Sequence, residues 1–154
     1  MLRYAIIFIG LLVSGCGSGV LDVESSRFST ARKRVEFLTK YVVMASDVDD
    51  TIFHVFNVNG KFSLSIPGPS SWDYKIVMKV NQNDLVKWTD GFVEISQPDK
   101  DLLDWGYALV HEQSDWSVHS PPTVYTREHT NAQNETIVAI FHTEGILFKR
   151  ILQR

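Results

Sequence analysis

The chain has 154 residues, 44 % hydrophobic and 21 % charged, with a formal net charge of −3. That is enough sequence to bury the core of one domain without disulfides or a structural metal, and too apolar for intrinsic disorder. The single cysteine excludes an intrachain disulfide and a multi-cysteine metal site, and the lack of a basic excess argues against a nucleic-acid partner.

The N-terminus reads as an address. Met1-Leu2-Arg3 precedes an apolar run over residues 4–13, the charged region and hydrophobic core of a secretory signal. The run is too short to span a bilayer, which takes about 20 apolar residues. It ends in Val13-Ser14-Gly15-Cys16, followed by Gly17-Ser18-Gly19. An aliphatic residue, two small ones and a cysteine resemble the lipobox of bacterial lipoproteins. An ordinary signal peptide with a cysteine near its cleavage site is the competing reading. The lipobox resemblance covers residues 1–16 and implies that the Cys16 thiol is acylated and residues 1–15 are removed. The tether would then run over 16–23. Cleavage deletes Arg3, which takes the net charge from −3 to −4. The family's several acyl chains imply stable anchoring, where one chain alone binds weakly. Gly17, rather than Asp, after the cysteine implies the outer membrane of a Gram-negative envelope.

Residues 24–42 carry Phe28, Ala31, Val35, Leu38 and Val42 at helical spacing, with Ser25 and Ser26 as N-cap candidates. Arg27, Arg32, Lys33, Arg34 and Lys40 make this helix basic, a pattern that reads as a solvated face before it reads as a lipid contact.

Next comes Asp47-Val48-Asp49-Asp50-Thr51, behind the apolar Tyr41-Val42-Val43-Met44. It resembles the first motif of the haloacid dehalogenase superfamily, a strand ending in Asp-x-Asp-x-Thr. The resemblance implies Asp47 as nucleophile, Asp49 as general acid/base, a magnesium ion between them and Thr51 orienting the loop. That fold also needs βαβ crossovers, a Lys and a later acidic pair, and only 11 residues follow Thr143, the one candidate for its second motif. The alternatives are an Asp-rich turn bonding backbone amides and a weak calcium site on Asp47, Asp49 and Asp50.

From Thr51 the period becomes two. Strands are expected over 51–58, 61–66, 74–80, 85–89, 91–96, 105–112, 123–128, 136–143 and 146–152, with Asn59-Gly60 and Glu144-Gly145 as tight hairpin turns. Residues 24–154 thus read as one mainly β (α+β) domain, an N-terminal helix followed by an antiparallel sandwich or small barrel.

Chemistry beyond this is sparse. His54, His111, His119, His129 and His142 show no paired ligand spacing, so no zinc site or other cofactor is expected. No nucleophile elbow or glycine-rich phosphate loop is present. Trp72, Trp88, Trp105 and Trp116 each have an Asp within two residues. Trp105 shares a strand face with Tyr107 and Leu109 and is assigned to the core. Trp72 and Trp116 are the exposed candidates for stacking on a sugar ring or a protein partner. The expectation is a lipid-anchored, non-enzymatic binding or assembly module with an envelope-protein partner. In size, anchor and strand pattern it is similar to secretion-system pilotins. An immunity-type lipoprotein that neutralises a periplasmic toxin and a haloacid-dehalogenase-like phosphatase are the alternatives.

Overall fold

The computed structural model describes residues 21–57, 71–128 and 134–153. The signal segment, Cys16, the Asn59-Gly60 turn, the strand expected over 61–66 and His129 lie outside them. The described strands are β1 (Asp22–Glu24), β2 (Asp50–Asn57), β3 (Trp72–Lys79), β4 (Val93–Glu94), β5 (Thr123–Glu128), β6 (Asn134–Phe141) and β7 (Ile146–Gln153). They form one sheet in the order β1-β2-β3-β7-β6-β5-β4, and every neighbouring pair is antiparallel. Two meanders therefore meet at the β3–β7 seam. The fold is mainly β with helices, as expected, but the strands make one open sheet, with β1 and β4 at its edges, and not a sandwich or barrel.

The reason lies in the central strands. β6 buries Thr136, Ile137, Val138, Ala139, Ile140 and Phe141 in succession, so both its faces are apolar. Strands buried on both sides read as continuous hydrophobic runs and need a cover on each face. Phe53, Val55, Ile76, Met78, Val138, Ile140 and Leu147 build one face, which we call the first. Its cover is Leu38 of α1 (Ala31–Leu38) with Leu85 and Trp88 of the 3-10 helix Gln82–Thr89. Ile52, Val77, Ile137, Ala139, Phe141, Ile146 and Phe148 build the second face, under Leu109 and Val110 of α2 (Asp104–Gln113). Each fully buried aliphatic or aromatic side chain contributes about 1.5–3 kcal/mol.

Four expectations change. Residues 22–24, assigned to the tether and the helix start, pair with β2 as an edge strand. The helix of 24–42 contracts to α1, capped by Thr30, whose hydroxyl accepts from the Lys33 N–H at 3.3 Å. Ser25 does not cap it: Ser25 is buried in a separate 3-10 turn and its hydroxyl donates to Gln113 of α2. Residues 105–112 are helix rather than strand, because Gly106, Leu109 and Val110 are the buried positions, at spacings of three and four. Residues 85–89 are likewise helical, with Leu85 and Trp88 buried three apart.

Two glycines are required where they stand. A Cβ on Gly106 would lie 2.2 Å from the Phe148 ring, so α2 reaches the sheet only without one. The β6–β7 hairpin forms as expected, but β6 ends at Phe141, so its connection is the four residues 142–145 and not Glu144-Gly145 alone; Gly145 closes it at φ +65°, and its carbonyl accepts from the Val80 N–H at 2.9 Å.

A candidate anion-binding cleft

Among the described residues, the cover of the first face stops beyond the C-terminal end of α1. Tyr41 and Val42 turn back on the helix, both N–H groups donating to the Leu38 carbonyl at 3.0 Å. That turn buries Val42 and leaves Tyr41 and Val43 at 44 % and 87 % exposure. Beneath them lies a cleft of about 370 Å³, within the range of small-molecule sites.

Period-two geometry brings its floor together from three strands. Arg127 of β5 pairs with Thr136 of β6, which pairs with Ile151 of β7. One rung further, Asn134 pairs with Gln153, and one rung back Lys149 enters from β7. Phe92, following the left-handed Gly91, forms one wall.

Its charge is of one sign. Among the described residues no carboxylate lines the cleft, and none pairs with Lys149 or Arg127. The Lys149 ammonium sits 5.2 Å above the Trp88 ring and the Arg127 guanidinium 4.5 Å above Phe92. Arg127 also donates to the carbonyls of Asp90 and Gly91. Burial, with Arg127 nearby, pushes the Lys149 ammonium below its ordinary pKa. These π faces and carbonyl dipoles hold two cations in place without neutralising them.

The residues singled out in the sequence lie elsewhere. Asp47 and Asp49 precede β2 instead of ending a strand, and the Asp49 N–H donates to the Lys79 carbonyl at 2.9 Å. Asp50 accepts a forked contact from Arg34 of α1 at 2.7–2.9 Å, and the buried Thr51 hydroxyl donates to the Val77 carbonyl at 3.0 Å. Asp50 and Thr51 thus join α1, β2 and β3, and this arrangement does not fit the magnesium site that the dehalogenase resemblance implies. Among the described residues no three His, Cys, Asp or Glu side chains come together as metal ligands. His54 contacts Asp22 at 2.8 Å on the β1 edge, and His111, His119 and His142 are exposed.

Trp72 and Trp116 are both half-buried rather than freely exposed. Trp72 stacks on Tyr74 at 5.8 Å against the first face, and Trp116 packs on the second. Neither lines the cleft. Trp105 does pack on Phe148 as a core residue, from a helix instead of a strand. Sequence reasoning missed Lys149 and Arg127. The available signal was a cation in each of two otherwise β-forming runs, but the pairing that joins them is not local. No family model, curated protein or solved structure matches this chain.

Proposed function

We propose that the chain is a lipid-anchored envelope lipoprotein whose folded unit is a non-enzymatic binding module at the periplasmic face of the outer membrane. Val13-Ser14-Gly15-Cys16, directly behind the apolar run of residues 4–13, carries this reading. Gly17 after the cysteine supports the outer over the inner membrane. β1 begins at Asp22, so the six residue steps from Cys16 to Asp22 reach at most about 22 Å when extended, and a lipidated Cys16 would keep the sheet edge close to the bilayer. The basic residues of α1 support a solvated helix: Arg32 is tied to Glu36 at 2.7 Å and Arg34 to Asp50. Attachment then falls to the acyl chains, each buried methylene contributing about 0.8 kcal/mol. The cleft supports the binding part, as a concave site in which two cations face no carboxylate among the described residues.

Cys16→Ala tests the anchor. It is expected to abolish labelling by a fatty-acid analogue and to block lipoprotein-type cleavage, so that the precursor persists or is released to the soluble periplasm. Labelling and membrane fractionation equal to wild type would overturn lipidation at Cys16.

A further inference from the structure

We infer that the cleft binds a small anionic amphiphile, its carboxylate or phosphate head held by Lys149 and Arg127 and its apolar part against Tyr41, Val43, Phe92 and Ile151. This deepens the binding reading above: the cations and the apolar wall carry it without the anchor, and only the argument from position rests on the anchor.

Three observations converge. First, the cations are placed, and among the described residues no carboxylate neutralises them. Two other arginines at the sheet are paired: Arg150, next to Lys149, makes a forked contact with Asp73 at 2.8 and 3.0 Å, and Arg34 of α1 makes one with Asp50 of β2. Lys149 and Arg127 instead share one cleft with no carboxylate between them. Two like charges held together in a partly desolvated site gain most from an anion that enters it. Second, the walls are apolar and partly exposed. Val43 at 87 % and Tyr41 at 44 % are large side chains in water at the cleft mouth, and they bury surface only when something lies over them. A bare inorganic anion uses the cations but not this wall; an apolar solute uses the wall but leaves the cations facing each other. Third, the position suits an amphiphile. Leu21 accepts from the Asn57 N–H, and Asn57, Trp72, Gln153 and Asn134 form one cross-strand row. Two residues that line the cleft, Asn134 and Gln153, therefore lie in the row at the sheet end beside Leu21. At about 4.8 Å per strand the cleft lies roughly 20 Å across the sheet from Leu21.

The test is calorimetric titration of the full chain, placed in zwitterionic nanodiscs if it fractionates with membranes and used in buffer if it does not. The probes are hexanoate, hexyl phosphate, hexanol and inorganic phosphate. Hexanoate and hexyl phosphate are expected to bind at least tenfold more tightly than hexanol or inorganic phosphate. Lys149→Met is expected to weaken both anionic probes at least tenfold while the protein stays folded. Val43→Glu places a carboxylate at the exposed mouth, where folding is insensitive, and is expected to do the same. Doping the discs with phosphatidic acid separates the two sources of such a head group. Competition with hexyl phosphate assigns the ligand to the bilayer, and unchanged titration assigns it to a soluble amphiphile. Absence of binding by all four probes, hexanol binding as tightly as hexyl phosphate, or wild-type affinity in both variants would overturn the proposal. Loss of fatty-acid labelling at Cys16 bears on the anchor alone and leaves these titrations standing.

Discussion

Phe148 and Lys149 are adjacent on β7, face opposite sides of one sheet, and sit in opposite kinds of surroundings. Phe148 is fully buried, 4.6 Å from the Phe141 ring, with Tyr107 and Trp105 at 5.3 and 5.8 Å and the Gly106 backbone pressed against it. Lys149 is partly buried beside a cleft, with a cation for a neighbour and an indole for a support. The second face is closed by α2 and by the chain that follows it, in which Trp116 and Val118 pack on the core. Among the described residues, the first face is closed as far as α1 and the 3-10 helix reach. The buried aromatic packing lies where the cover is complete, and the proposed binding cleft lies where it stops short. A strand with period two lets one sheet do both, since neighbouring residues answer to different covers.

The sharpest way to test that division is Phe148→Ala. Removing a fully buried ring leaves a cavity lined by Phe141, Trp105 and Tyr107, and such truncations cost about 3–5 kcal/mol. Urea denaturation is expected to show a loss of this size. A cost below about 1 kcal/mol would mean that the second face is not the stable one.

A smaller effect is expected at the fastening of that cover. The Glu144 carboxylate accepts from the N–H groups of His119 and Ser120 at 2.9 and 2.8 Å and from the Ser120 hydroxyl. These bonds, the hydroxyl foremost, lower its pKa from 4.5 to about 2. The carboxylate is thus held more firmly in its ionised form in the folded state than in the unfolded one. Its contribution is fully present above pH 4.5 and is lost as the pH falls toward 2. Glu144→Gln is expected to lower the melting temperature near pH 7, with the gap to wild type closing between pH 4.5 and 2. A gap of constant size across that range would remove the ionised latch from the account.

Much of this was legible in the sequence, and the failures have physical causes. β2, β3, β5, β6, β7 and the β6–β7 hairpin followed from local pattern, because alternation, apolar runs and a hairpin glycine are short-range signals. α2 did not, since Trp105, Tyr107 and Leu109 satisfy period two while Gly106, Leu109 and Val110 satisfy the helical period. The close approach of Gly106 to Phe148 decides between them, and that is a tertiary contact. The single sheet was missed because a run such as 137–141 says that both faces are covered but not by what. The Asp47-Val48-Asp49-Asp50-Thr51 motif drew attention through residue type, whereas its geometry depends on Arg34 and on the antiparallel partner β3. Lys149 and Arg127 lie 22 positions apart and meet only through the β5-β6-β7 register.

The smallest expected effect is the most discriminating for the comparison. If Lys149 serves a ligand, its charge is a burden on the empty fold and not a support. Desolvation and the nearby Arg127 both disfavour the ammonium, which is why its pKa lies below 10.5. A lysine shifted down in the folded state lowers stability wherever both states are protonated, and that cost fades as the pH rises through the folded pKa toward the unfolded one. Lys149→Met keeps the apolar stem and replaces the cation over Trp88 with a thioether, which also packs well on an aromatic ring. Near pH 7 the variant is therefore expected to match wild type within about 0.5 kcal/mol or to exceed it. Any excess should shrink as the pH is raised toward 10.5. Burial raises the pKa of Tyr74 and Tyr107 as well, and their effect on alkaline stability is of the opposite sign. It is common to both proteins, so the difference between their denaturation curves isolates Lys149. A loss above about 1 kcal/mol at pH 7, five times or more in the folding equilibrium, would make Lys149 a structural cation seated on Trp88. The two faces of β7 would then differ in packing but not in purpose.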